Sequence, residues 1–548
     1  MLIMKKKDDK LVKLKQIKLI HHIRSHKLAS LLLCFFALYY LYFAIADMTL
    51  FKLRVIDGDG LIHSIKAIQN AFAIKNGYFI AFFKFHLNYG LPFHYLNFAI
   101  SLPGIFLEND LFIILPRIMS VLCAVSSAGV LYWIALKLIK SKQWASITTF
   151  MFLSSNMMLT EGSNFRSDWY MSLFILLAIA FYIKDNFKFK RYFWLAAFAL
   201  GLGMGFRWQT ITFLPLIGCY CFLPLPPLQL SSYIKRCWYC LKAIGLVIVV
   251  FVLCNPYVLH PIGLLAFKRR FLIEFGAYNI VHTFNYMDRL APWAAFYPVG
   301  IGILFFIALL FFTVHYFSKS MKHVGLPIAA IVLINIVYSF YFMFHGYPDK
   351  MFIAFGLMPI VLFMYIKSIK NNSFNQWVVR FLAVGLVCYC FIGFFNNHKQ
   401  YWINRSVSIN ERYKKLEKID QQIINALKNY DLSNKTIATH YEFDCRKIGM
   451  SFEHYVRIIH QIKPFILQRA HNKRWAGVLT KQKQFNVEHW KIKPWKNKDV
   501  IILNYQRLKK YPQDMVVFND LQSTALPYEL VATIDDLYVF VHHDVQLK

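Results

Sequence analysis

The apolar run LASLLLCFFALYYLYFAIADMTL, from Leu28 to Leu50, decides the broad class of this chain. It carries one charged residue, Asp47, and it exceeds the roughly twenty residues that a helix needs to cross a hydrocarbon core. The preceding residues 1–27 form a long basic tail, and the run lacks the small-residue cleavage pattern of a signal peptide. We therefore expect a cytoplasmic tail followed by an uncleaved membrane anchor.

The composition extends this interpretation to most of the chain. Of 548 residues, 57% are hydrophobic and 16% are charged, whereas a soluble protein carries about a quarter charged residues. Successive apolar runs predict an α-helical polytopic membrane protein with about eleven spanning helices. Lys and Arg recur in every second connector, as they do in cytoplasmic loops, at residues 140–142, 184–191, 231–236, 318–322 and 367–370. This alternation predicts a cytoplasmic N-terminus and a C-terminus outside, in a bacterial inner membrane or alternatively the endoplasmic reticulum.

The same patterns predict three regions after one another. Residues 1–27 form the basic tail, and residues 28–395 form a transmembrane domain that includes outer segments at 51–110 and 258–293. Residues 396–548 have the composition of a small soluble α/β domain, periplasmic or lumenal, in which a capping box at 408–411 begins a helix. Strand-like runs follow at 436–439, 499–503, 515–518 and 537–541.

Two simple explanations of the composition are disfavoured. The formal net charge of +34 suggests nucleic acid in a soluble protein, but here much of the Lys and Arg lies in short connectors, and no nucleic-acid partner is expected. The cysteines give no disulfide framework, since only Cys445 falls in the C-terminal region. Cys237 and Cys240 have C-x-x-C spacing without a second pair, which favours helix packing over a metal site.

An acidic pair lies in the first outer segment. Asp57-Gly-Asp-Gly60 precedes the helical pattern of residues 61–70, close to the end of the first predicted span. Carboxylates at such a place suit a general base or a divalent cation, with Asp57 and Asp59 as the ligands. A helix N-cap within a turn explains the same residues equally well.

Further charged residues are predicted at the outer ends of helices. Arg166 and Asp168 either face a polar cavity or pair with each other at the interface, and Glu161 either joins that cavity or is solvated. A set of cations either snorkels or converges on an anionic head group or phosphate: Arg117, Arg207, His260, His345 and Lys350. Residues 266–277 alternate basic and apolar side chains and predict an interfacial or a buried connecting helix.

These features, in this order, resemble the membrane-embedded glycosyltransferases of the GT-C class. The resemblance is to the polyprenyl-phosphate-sugar-dependent enzymes related to protein O-mannosyltransferases and aminoarabinose lipid A transferases. It covers about the first 395 residues and rests on the acidic pair, on Arg166-Ser-Asp168, and on stretches 115–122, 201–207, 255–257 and 345–359. Two positions depart from the family: Gly60 replaces an acidic residue, and His345-Gly-Tyr-Pro-Asp-Lys350 replaces an Arg-Tyr pair.

The resemblance implies an inverting displacement on a polyprenyl-phosphate sugar at the outer face. Asp59, or alternatively Asp57, accepts the proton of a lipid, glycan or protein acceptor. Arg207, Lys350 and His345, with Arg117 and His260 as further candidates, bind the donor phosphate, and Arg166, Asp168 and Glu161 shape the cavity. No cofactor is expected, although a divalent cation at Asp57 and Asp59 stays an alternative.

Two other functions compete with this one. A transporter or flippase of lipid-linked sugars also has many spans and intramembrane charges, but its matching broken helices are not evident here. A non-catalytic assembly or sensor protein leaves the acidic pair in the first outer segment unexplained. The concentration of polar residues at the outer helix ends favours the transferase.

Overall fold

The computed structural model describes part of the chain, in two compact units. The described residues are 26–46, 90–155, 158, 162–223, 230–259, 261, 264, 325–342, 352–368, 377, 384–385, 388, 392, 395–396, 414–415, 417–432, 435, 437–439, 499–504, 518–522 and 526–547. One unit holds the apolar helices up to residue 396, and the other holds residues 103–110 and those from 414 onward. Residues 1–25 of the predicted tail, the capping box and the predicted helix at 266–277 lie outside the described residues.

The first unit is helical. Its helices are α1 (Lys27–Ala46), α2 (Leu91–Phe106, of which residues 103–106 are assigned to the second unit), α3 (Leu111–Ile139), α4 (Lys142–Leu153), α5 (Ser167–Asp185), α6 (Arg191–Phe206), α7 (Pro215–Phe222), α8 (Leu230–Cys254), α9 (Gly325–Phe342) and α10 (Phe352–Ser368). Short 3₁₀ helices follow α6 at Trp208–Phe213 and α8 at Pro256–Leu259. Within the described ranges, four helices, α1, α3, α5 and α8, are long and apolar enough to cross a membrane. The predicted total of about eleven spans stays a prediction.

Several boundaries differ from those predicted. The outer segment 51–110 contains α2, which the sequence does not suggest because His94, Asn97 and Ser101 interrupt its apolar pattern. All three side chains are buried within the protein, so their polarity does not prevent a helix. The third predicted span, 144–159, is shorter than expected, since α4 ends at Leu153, and Pro215 divides the sixth between a 3₁₀ helix and α7.

Small residues let the central helices approach closely. A Cβ atom on Gly201 of α6 would lie 2.7 Å from Val250 Cβ of α8, and one on Gly205 would lie 2.8 Å from Cys254 Cβ. Residues four apart share one helix face, so these glycines form a groove for α8. Close backbone approach through small residues is a common way to pack helices in membranes, where burial from water supplies little driving force.

A buried carboxylate closes the turn between α5 and α6. Asp185 accepts backbone hydrogen bonds from Phe189, Lys190 and Phe193, at 2.8, 2.9 and 3.3 Å, and one from the Tyr220 hydroxyl at 2.6 Å. Asn186, Phe187 and Phe189 have φ angles of 47°, 60° and 53°, a left-handed conformation that costs non-glycine residues energy. The hydrogen bonds of Asp185 offset that cost and cap the first turn of α6.

The second unit contains a four-stranded sheet. Strands β1 (Ile437–Thr439), β2 (Val500–Asn504), β3 (Tyr528–Ile534) and β4 (Leu537–His542) lie in the order β1-β2-β4-β3, with β1 parallel to β2 and the other pairs antiparallel. Ile419, Ile423 and Leu427 lie in the helical residues 417–427 and are buried. The soluble α/β domain and its start at residue 396 stay predictions.

The strand predictions succeed where the apolar runs are short and β-branched. Runs 436–439, 499–503 and 537–541 correspond to β1, β2 and β4. The run 515–518 is wrong at Phe518, which is helical and packs with Leu521 in the core of this unit. Strand β3 was not predicted, because its burial does not alternate cleanly along Tyr528–Ile534.

We expect Gly201→Ala to destabilise the helical unit, because its new Cβ overlaps Val250 of α8. Overpacking of this kind costs about 1–3 kcal/mol. The matched control is Gly245→Ala, since a Cβ at that position of α8 meets nothing within 4 Å. Thermal melting of both variants in detergent provides the measurement. Equal melting temperatures for the two variants would contradict the proposed helix contact.

Candidate functional site

A buried ion pair joins the start of α5 to the end of α6. Asp168 is the second residue of α5, and Arg207 directly follows the last residue of α6. Arg207 Nη1 lies 2.5 Å from Asp168 Oδ2 and also donates to Ser167 Oγ at 3.1 Å. Both residues are less than a tenth exposed. Charges at membrane depth are costly unless they are paired, and this contact supplies the partner.

The pairing changes the expected grouping of charges. From the sequence, Asp168 is grouped with Arg166, and Arg207 is assigned to the donor phosphate. In the structure, Asp168 and Arg207 contact each other. Arg166 is the N-cap residue of α5, and its backbone N–H donates to Ser120 Oγ of α3 at 3.2 Å. Its side chain is half-buried. Arg166 therefore lies at the same end of α5 as the pair.

Arg117 connects three segments through their backbones. Its side chain is fully buried, with Nη1 donating to the carbonyl of Ala44 at 2.7 Å and Nε to that of Ser163 at 3.3 Å. Ala44 belongs to the last turn of α1, which ends at Ala46. These contacts suit a positioning role for Arg117 between α3, the end of α1 and Ser163, and phosphate binding by Arg117 stays a prediction.

Asn255 joins the ends of three helices close to Arg207. Its Oδ1 accepts from the N–H of Leu91 at 3.0 Å, and its Nδ2 donates to the carbonyl of Gly205 at 3.1 Å. Gly90 donates to the carbonyl of Phe206 at 3.0 Å, and a Cβ there would collide with the Gly205 carbonyl. Stretches 201–207 and 255–257, which carried part of the resemblance, therefore build one junction.

Three neutral polar residues were not predicted. Gln209 follows Arg207 in the 3₁₀ helix, is 8% exposed, and has an Oε1 without a hydrogen-bond partner among the described residues. The same holds for Ser172 Oγ, one turn after Asp168, and for Asn335 Oδ1 in α9. Asn335 Nδ2 donates to the carbonyl of Thr212 at 3.2 Å, so it contacts the 3₁₀ helix. The feature of the sequence that could have identified these residues is a polar side chain within or beside an apolar run.

The remaining predicted site residues lie outside the described residues: Asp57, Asp59, Glu161, His260, His345 and Lys350. Their roles stay predictions. Within the part of the chain that the structure describes, no group of three or more His, Cys, Asp or Glu residues is placed to hold a metal ion. The divalent cation at Asp57 and Asp59 is thus untested.

We expect Asp168→Asn to destabilise the protein by about 3–5 kcal/mol, because it leaves the Arg207 guanidinium buried without its carboxylate. The double variant Asp168→Asn with Arg207→Gln removes both charges and should recover part of that loss. Unfolding of the wild type, the two single variants and the double variant in detergent measures the coupling. Additive losses would show that the two side chains do not stabilise each other.

Comparison with known proteins gives one family. Residues 108–260 match the sequence model of the family described as dolichyl-phosphate-mannose-protein mannosyltransferase. The match contains Arg117, Arg166, Asp168, Arg207 and Asn255, and it confirms the resemblance that the sequence predicts. The four long apolar helices indicate an integral membrane protein, and over residues 108–260 the chain is similar to that mannosyltransferase family. No curated protein matches the chain significantly.

Three solved structures are similar at low identity. ArnT from Cupriavidus metallidurans bound to undecaprenyl phosphate has a TM-score of 0.47 at 10% identity, covering 91% of this chain and 97% of that one. Its apo state gives 0.45 at 11% identity, covering 92% and 98%. The apo oligosaccharyltransferase from Archaeoglobus fulgidus gives 0.43 at 13% identity, covering 70% and 59%. At these TM-scores and identities, the likeness does not establish a common fold.

Proposed function

From the family resemblance over residues 108–260, we propose that this chain transfers a sugar from a polyprenyl-phosphate donor to an acceptor at the outer membrane face. The observation that carries the proposal is the buried Asp168–Arg207 pair, which lies inside the matched stretch at the ends of two apolar helices. A lipid-linked donor presents its head group at such a level. The acceptor is a lipid, a glycan or a protein.

The proposed reaction is an inverting displacement. The acceptor hydroxyl or amine attacks the anomeric carbon while the bond from that carbon to the phosphate oxygen breaks. The electron pair of that bond leaves with the lipid phosphate, and the acceptor's proton passes to Asp59 or Asp57. Lipid phosphate is already a good leaving group, so the reaction requires no acid to protonate it.

The ion pair suits sugar recognition more than charge neutralisation. Because Asp168 offsets the charge of Arg207, the pair presents hydrogen-bonding atoms with little net charge. Ser172 of α5 and Gln209 of the 3₁₀ helix after α6 add neutral polar atoms. We assign the sugar hydroxyls to this group, and the developing charge on the phosphate to Lys350, His345 and His260.

The first experiment compares wild type, Asp59→Asn and Asp57→Asn, each purified in lipid nanodiscs with a panel of labelled polyprenyl-phosphate sugars and candidate acceptors. We expect one variant to lose at least about 100-fold in transfer rate while it still binds donor, because a general base contributes about that much. The control is Asp535→Asn, an exposed carboxylate in the turn between β3 and β4.

Two results would count against the proposal. Full activity in both variants would exclude an acidic base in the first outer segment. No turnover with any donor by a folded protein would favour the alternative, a transporter or flippase, which a flux assay of labelled lipid-linked sugar then tests.

We expect Gln209→Ala to raise KM for the donor about tenfold, because a sugar hydroxyl loses one hydrogen bond in a buried site. The melting temperature should change little, since Gln209 Oε1 has no hydrogen-bond partner to lose among the described residues. Gln421→Ala, on the helical stretch of the second unit, is the matched control. A large fall in melting temperature with unchanged KM would identify Gln209 as a packing residue.

A further inference from the structure

One end of the helical bundle carries many cations and almost no acid. The turn between α5 and α6 and the first turns of α8 hold six basic residues, which we call the basic rim: Lys184, Lys188, Lys190, Arg191, Lys235 and Arg236. Arg236 is half-buried, and the other five are exposed. Within residues 184–193 and 230–242, Asp185 is the one carboxylate, and it is 1% exposed.

Aromatic contacts show that the two segments form one surface. The Phe189 ring stacks on Tyr239 of α8, with 5.2 Å between the ring centroids. The Arg236 guanidinium lies 5.7 Å from the centroid of the Phe189 ring and donates to the carbonyl of Cys221 at 2.9 Å. The cations of the turn and of α8 are therefore neighbours.

Asp185 determines which groups of this surface are available to bind an anion. A free helix N-terminus binds anions through its backbone N–H groups. Here the N–H groups of Phe189, Lys190 and Phe193 at the start of α6 already donate to Asp185. These three N–H groups are therefore engaged within the protein, which leaves the lysine and arginine side chains as the groups available to an external anion.

Aromatic side chains mark the depth of the basic rim in the bilayer. The Lys184 ammonium lies 4.3 Å from the ring centroid of Tyr192, and Lys242 lies 5.1 Å from that of Trp238. Trp238 is 57% exposed on the surface of a helix that is long and apolar enough to cross a membrane. Tyr and Trp gather at the head-group level of membrane proteins.

We propose that the basic rim is a binding site for the head groups of anionic phospholipids. Six cations without an exposed carboxylate repel one another, and phosphate groups relieve that repulsion. Each Lys or Arg near an anionic membrane surface contributes about 1 kcal/mol. The aromatic residues at the same level favour a lipid over an acidic protein as the ligand. The proposal does not depend on the transferase activity.

The test measures binding of a fluorescent short-chain phosphatidylglycerol to the purified full chain in neutral detergent. The variant Lys188→Gln, Lys190→Gln, Arg191→Gln removes three exposed charges. Its control removes three exposed charges from the second unit: Lys414→Gln, Lys415→Gln and Lys418→Gln. We expect Kd to rise about tenfold or more in the first variant, and to stay within about twofold in the control. Melting temperatures of both should equal that of the wild type.

Competition experiments identify the source of the anion. Fluorescent phosphatidylcholine should bind at least about tenfold more weakly than phosphatidylglycerol, and inorganic phosphate at equal ionic strength should not displace the lipid. The proposal is overturned if the rim variant keeps wild-type affinity, or if the control loses as much. Displacement by inorganic phosphate would assign the surface to a soluble anion, and displacement by a polyglutamate peptide would assign it to an acidic protein.

Discussion

The close approach of α6 to α8 is the constraint on which the rest of the helical unit depends. Because Gly201 and Gly205 lack a Cβ, the end of α8 lies against the end of α6, and Asn255 reaches the carbonyl of Gly205. The same amide binds the first turn of α2. Helix α6 ends at this junction, where Arg207 has an extended backbone and its side chain pairs with Asp168. The missing side chains on one face of α6 thus fix the position of Arg207 and its pair with Asp168.

The two ends of the α5–α6 hairpin satisfy a buried carboxylate in different ways. At one end Asp168 pairs with the guanidinium of Arg207, which leaves a nearly neutral polar group. At the other end Asp185 accepts three backbone N–H groups and the Tyr220 hydroxyl, so no cation is neutralised. The surrounding Lys and Arg side chains keep their charge for external partners. The paired polar group therefore lies at one end of the α5–α6 hairpin, and the positive charges of the basic rim lie at the other end.

Features that depend on local composition are predictable from this sequence, whereas features that depend on contacts between distant residues are not. Apolar runs identify α1, α3, α5 and α8 because a spanning helix must be continuously apolar. Helix α2 was not predicted because its polar residues are buried within the protein, and a single sequence does not show that burial. Asp168 and Arg207 were each selected, but their pairing joins residues 39 apart in the chain, and only packing makes them neighbours. Asp57 and Asp59 were selected from their position after the first predicted span, and the family resemblance implied that one of them accepts the acceptor's proton.

The neutral character of the pair bears on how a phosphate leaving group would be stabilised. A guanidinium that shares its charge with a carboxylate contributes a dipole, and its field falls with distance faster than that of a net charge. A net positive charge close to the breaking bond stabilises the phosphate of a lipid-linked donor more strongly than such a dipole does. Within our proposal, that charge comes from residues other than Arg207. The predicted cations that remain are Lys350, His345, His260 and Arg117. Our proposal therefore divides donor recognition between the Asp168–Arg207 pair for the sugar and separate cations for the phosphate.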